Sequence, residues 1–200
     1  MVRTTLVIAA ACVTLLSAEV AHAQRFTDNN DGTVTDHQTG LMWEKKTPPG
    51  SGTPGRGRIH DVNEKFTWCN GELAGDPGYP CKWHLLGNLA DGTIFTLFLG
   101  ILNHGDGGDN DKGCFANHCD WRIPSSRELE TIYDRRYCGG ACIDPVFGPT
   151  QADFYVSITT DASADSSVYV KGVDFAGRNS GNYRQKIYSS YVRAVRTLVR

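Results

Sequence analysis

The chain has 200 residues, 20 Lys and Arg against 22 Asp and Glu, a formal charge of −2, and seven cysteines. So balanced a charge excludes the broad positive field that nucleic acid or an anionic membrane surface selects. No apolar run approaches the roughly 20 residues of a membrane-spanning helix.

The first segment, Met1 to Ala23, has Arg3 near its start, an apolar run from Leu6 to Leu16, and Ala21-His22-Ala23 at its end. This pattern predicts a secretory signal peptide over residues 1–23, and hence an exported protein, periplasmic or extracellular, beginning at Gln24. Arg3 and Glu19 would leave together, so the charge balance is unchanged. Residues 24–200 suffice for one domain with a core of its own. Cys12 leaves as well, and Cys69, Cys81, Cys114, Cys119, Cys138 and Cys142 remain. An even set in an oxidising compartment reads as disulfides. The spacings favour three near pairs: Cys69 with Cys81, Cys114 with Cys119, and Cys138 with Cys142.

The stretch TDNNDGTVTDHQTGLMW, residues 27–43, invites comparison with a calcium loop. With Gly32 at the obligatory glycine, Thr27 stands at the first ligand position and no glutamate occupies the last, so the frame fails. Asp31-Gly32 and Gln38-Thr39-Gly40 instead read as two turns of a β-meander, with Phe26, Val34, Leu41 and Trp43 as its apolar positions. TPPGSGTPGRG at 47–57 has three prolines and four glycines and is read as a loop. Its flanking Lys45, Lys46, Arg56 and Arg58 are read as solvated loop charges.

Beyond the loop, Asp61 as a cap and Phe66, Cys69 and Leu73 at helical spacing predict a first helix. TIFTLFLGILN, 93–103, predicts a buried one. GDGGDNDKG, 105–113, is ordinary turn chemistry, although its four oxygen-bearing side chains also suit a calcium ion. His104, His118, Cys114 and Cys119 resemble a zinc set, but zinc needs thiolates and export favours disulfides. Ser125-Ser126-Arg127-Glu128 is a capping box opening a helix predicted to run to Asp134. FYVSITT, SSVYVKGVDF and YVRAVRTLV then read as strands, with a turn over 174–181. Strands at both ends with helices between imply an α+β fold with an antiparallel sheet and two or three helices, pinned by disulfides.

Four stretches, FTDNNDGTVTDHQTGLMWEK, CDWRIPSSRELETIYD, CIDPVFGPTQADFY and YVRAVR, resemble the Lcl C-terminal domain family of exported bacterial domains. The resemblance runs from about Phe26 to Arg196. It implies a C-type lectin-like fold in a branch shared with formylglycine-generating enzymes, and adhesion through sulfated glycosaminoglycans, the role attached to the family's named member. Many relatives read Tyr-Trp-Ser-Ser-Thr where this chain has Tyr155-Val156-Ser157-Ile158-Thr159, and no collagen-like Gly-X-Y tract is present. Trp121, Arg122, Tyr191, Arg193 and Arg196 fall in these motifs. The arginines are read as structural, because charges near core aromatics need partners.

No GxSxG, HExxH or phosphate-loop spacing is present. The leading expectation is a non-catalytic adhesion-type module, without cofactor or metal, that binds a glycan or sulfated polysaccharide. Arg178, Asn182, Tyr183, Arg184 and Lys186 are the candidate ligand residues: guanidinium forks suit sulfate or carboxylate, and tyrosine stacks on sugar faces. The alternative is a structural domain that binds an envelope protein. A third reading, an enzyme related to formylglycine-generating enzymes, needs a free cysteine pair that near-paired cysteines do not leave.

Overall fold

A computed structural model describes residues 24–52, 58–69, 92–105, 113–160, 169–177, 183–186 and 188–198. The predicted meander forms β1 (Phe26–Asp28), β2 (Thr33–Asp36) and β3 (Leu41–Glu44), all antiparallel. Asp31 sets the first turn by accepting from the Thr33 amide (3.0 Å), and Gly32 takes a positive φ of 88° that a side chain would resist. β7 (Val195–Thr197) pairs antiparallel with β3, so the sequence ends of the domain close one four-stranded sheet in the order β1-β2-β3-β7. A second antiparallel sheet contains β4 (Phe154–Thr160), β5 (Tyr169–Asp174) and β6 (Tyr183–Gln185). The sequence led to one sheet, whereas two form, because the last strand leaves its neighbours in sequence and pairs with β3.

The expected buried helix exists. A six-residue π-helical stretch, Ile94–Leu99, runs into α1 (Gly100–His104), with Ile94, Phe98 and Leu102 buried. The capping box also forms: the Ser125 hydroxyl accepts from the Glu128 amide (3.2 Å), and Glu128 accepts from the Ser125 amide (2.7 Å). The helix it opens, α2 (Ser126–Thr131), stops three residues earlier than Asp134. The helix predicted from Asp61 is not found among the described residues. Asp61 instead turns the chain on itself by accepting from Asn63 (2.8 Å) and Gly50 (2.6 Å), and Phe66 forms an antiparallel bridge to Ser190. Its spacing matched a helix because Phe66 and Cys69 are both core residues, and core contact alone does not specify a period. Leu73 lies outside the described residues.

Two apolar clusters share the sheets. Met42, Phe66, Trp68, Phe98, Trp121, Phe154, Val156 and Val170 form one. Val34, Trp43, Leu129, Ile132, Phe147, Tyr155, Val173 and Val195 form the other. Adjacent residues of β3 and of β4 enter different clusters, as the two-residue period of a strand requires when both faces are covered. Gly172 belongs to this packing: a Cβ there would meet the Tyr155 carbonyl oxygen at 2.1 Å and the Phe154 ring at 2.4 Å.

Cys114–Cys119 and Cys138–Cys142 are disulfide-bonded, as their spacing led one to expect. The first of these takes up both thiols of the zinc-like set. Cys69 is also disulfide-bonded, while its expected partner Cys81 lies outside the described residues, as do residues 1–23, Arg56 and the acidic stretch 106–112. No described helix is long and apolar enough to cross a membrane.

Candidate functional site

The face of the second sheet that carries Tyr155 and Val173 packs against Leu129 and Ile132, contributed by α2 and the residue that caps it. Where this cluster stops, the same face continues as Lys171 and Tyr183, which stand opposite each other in the β5–β6 register. That pairing places the Lys171 Nζ 5.4 Å from the centre of the Tyr183 ring, a cation–π contact across the strands. The start of α2 lies beside them. Together Ser126, Arg127, Glu130, Lys171, Gly172 and Tyr183 line a depression of about 280 Å³.

Each lining side chain is held by an element with its own reason to form. Ser126, Arg127 and Glu130 follow the capping box, and the Ser126 amide donates to the Thr159 hydroxyl of β4 (3.0 Å). Glu128, in the same turn, is fixed by a bidentate pair from Arg122 (2.9 and 2.6 Å). The Arg122 bonds hold its carboxyl below the usual carboxylate range despite partial burial. Gly172 is buried and adds only main chain to the lining. The walls therefore offer two cations, one carboxylate, a hydroxyl and an aromatic ring 44 % exposed. Convergent polar groups beside an apolar face are what a small polar ligand requires.

Of the three predicted ligand residues that lie among the described ones, Tyr183 alone lines this depression. Arg184 points to the opposite face by strand alternation, donating to Asp153 (3.0 Å) and lying 4.8 Å over the Phe154 ring. Asp153 is partly buried, which would raise its carboxyl. The Phe154 amide, Arg184 and Lys65 outweigh that and hold it low. Lys186 is 2 % exposed, with its ammonium 5.5 Å over the Trp68 ring. Arg178 and Asn182 lie outside the described residues. Arg127, Glu130 and Lys171 were missed because each sits in an element whose pattern already explained it. The available signal was Lys171, a charge inside an otherwise apolar strand run.

A second polar cluster is buried. Glu44, at the end of β3, is fully inaccessible and accepts from Lys46 Nζ (2.7 Å) and the Ala194 amide (3.0 Å), with His60 Nδ1 at 2.8 Å. Burial would raise its carboxyl, but the Lys46 ammonium, His60 and Arg193 outweigh this and hold it at about 2. Lys46, expected in a solvated loop flank, is 4 % exposed, and it also donates to the Ile59 carbonyl (3.1 Å). The correction has a physical cause: β3 runs under the last segment of the chain and carries the following residues inward with it. Lys45 stays outside and pairs with Asp28.

Arg193, buried beside this cluster, donates through Nη1 to the carbonyls of Glu44 (2.6 Å) and Phe147 (3.0 Å) and through Nη2 to the Thr150 hydroxyl (3.0 Å). Arg196 pairs with Asp120 (2.7 and 3.2 Å). Both are structural, as expected, although they tie strands to loops rather than to a helix.

The family model of the Lcl C-terminal domain matches residues 32–196. Among curated proteins none matches the chain, and no solved structure matches it. The matched span includes the Cys114–Cys119 and Cys138–Cys142 disulfides, both polar clusters and every residue of the depression.

Proposed function

Because the chain belongs to the Lcl C-terminal domain family, we propose that it is an exported, non-catalytic recognition module, one domain over residues 24–200 with a C-type lectin-like arrangement, which binds glycans. The observation that carries this reading is the depression beside α2, where the exposed Tyr183 ring stands with Arg127, Lys171 and Glu130. A tyrosine face packs on the C–H surface of a pyranose, while charged groups at its rim bond hydroxyls and an acidic substituent. The disulfides support export, since such bonds persist in oxidising compartments.

Arg178 and Asn182 remain part of the proposed surface, Asn182 directly preceding Tyr183 in sequence. Arg184 and Lys186 are given a supporting role, because the first is paired with Asp153 and the second is buried. They stiffen the edge strand that presents the ring.

A glycan array carrying neutral, carboxylated and sulfated oligosaccharides at moderate salt tests the proposal. The mature chain is expected to be retained on at least one acidic class, and Tyr183→Ala to weaken that retention about tenfold, the upper range for an aromatic contact. Retention on no glycan, together with recovery of a protein partner from envelope extract, would replace this reading with a protein-interaction role.

A further inference from the structure

We infer that the depression takes a single sugar unit bearing one negative charge, and that Glu130 is the residue that turns away more densely charged chains. This rests on the glycan-binding reading above and specifies its ligand.

Size gives the first constraint. At about 280 Å³ the depression lies at the lower edge of small-molecule pockets, which run from roughly 300 to 1,000 Å³, so it holds one ring and not several. Charge gives the second. Arg127 and Lys171 supply two cationic side chains, but Lys171 is also drawn to the Tyr183 ring across the strand pair. Glu130, one helical turn after Arg127, adds a carboxylate to the same wall. A site meant for polyanions would leave that carboxylate out.

Geometry distributes the roles. Tyr183 offers the apolar face, and Arg127 offers a planar fork for one carboxylate or sulfate. Glu130 accepts from ring hydroxyls, for which it is suited only while no second anionic group comes near. An extra like charge about 6 Å from Glu130 in water lowers affinity about threefold, and more where water is displaced. Glu130 and Arg127 are both exposed, so the discrimination is a surface property separable from folding.

The test uses the full mature chain and four oligosaccharides of equal length: one neutral, one with a single carboxylate per disaccharide, one with a single sulfate, and one with three sulfates. Affinities are measured by calorimetry at fixed ionic strength, with melting temperature as a check on each variant. Wild type is expected to bind a singly charged arm at least threefold more tightly than the neutral one. The carboxylate and sulfate arms tell which acidic group is the natural one. Glu130→Gln should raise affinity for the triply sulfated arm about threefold or more relative to the singly charged arm, and Arg127→Gln should reduce the singly charged arm to the neutral level. Affinity that climbs with each added sulfate, with a ratio unmoved by Glu130→Gln, would overturn the inference and leave glycan binding standing. Failure of wild type to bind any arm would remove both.

Discussion

Replacing Glu44 with alanine is expected to cost about 3–5 kcal/mol of stability, the range for breaking a buried ion pair from one side. The change removes the acceptor of the Ala194 amide and of Lys46, and it leaves an ammonium 4 % exposed without its counter-charge. Burial already pulls the Lys46 ammonium down, and Glu44 only partly restores it. Without Glu44 the lysine must lose its proton or the segment must open. Glu44→Gln with Lys46→Met, which removes both charges and keeps the volumes, should recover much of the loss, since an apolar replacement of a buried pair is often neutral.

The same carboxylate gives the protein an acid limit. Its folded pKa is held at about 2 against an ordinary value of 4.5, so it contributes stability above 4.5 that is lost as pH falls towards 2. The full contribution is about 3 kcal/mol, part of it offset at neutral pH by the buried lysine. Urea unfolding at several pH values between 2 and 6 should show stability falling through this window in the wild type and a shallower fall in Glu44→Gln. Equal slopes would mean that the cluster does not couple to folding.

Arg193→Ala is the second large effect, expected at about 3–4 kcal/mol. One guanidinium ties the end of β3, the turn at Phe147 and Thr150 together, so its removal takes a donor from two main-chain carbonyls and a hydroxyl and leaves Phe147 only the long Lys46 amide bond (3.3 Å) and Thr150 only its bond to Gly148 (3.3 Å). Each buried group left unpaired costs about 1–3 kcal/mol before relaxation. Lysine should rescue poorly, because a point charge cannot reach three acceptors that a planar fork reaches at once. Denaturant unfolding is the measurement. A loss under about 1 kcal/mol in Arg193→Ala would show that water replaces the bonds and that the three segments are held by packing instead.

Local patterns in the sequence were sufficient where local chemistry decides the structure. Asp31-Gly32 made a turn, Ser125 and Glu128 made a capping box, and the short cysteine spacings made two bridges. Where long-range pairing decides, the sequence was insufficient. Val195 is an ordinary β-former in its own window, and nothing local says that it closes the sheet on Trp43. The Asp61 segment shows the converse failure: helical spacing without a helix.

The candidate site divides along the same line. Tyr183 was legible because a large aromatic in a polar stretch needs a reason. Arg184 and Lys186 were indistinguishable from it by composition, and only the strand register sends them to other partners. Glu130 meets Lys171 and Tyr183 because α2 lies beside β5 and β6, from which it is far removed in the chain. Lys46 looked like a surface charge because it is buried with Glu44, whose own partners Arg193 and Ala194 lie near the other end of the sequence.

The most direct test of the account is an amide-resonance titration of the protein with a singly carboxylated and a singly sulfated oligosaccharide. Saturable shifts should appear at Ser126, Arg127, Lys171, Gly172 and Tyr183, and in Tyr183→Ala those of the other four should need about tenfold more ligand. Saturable shifts confined to other surfaces, or none at millimolar ligand, would contradict a recognition site between α2 and the edge of the second sheet.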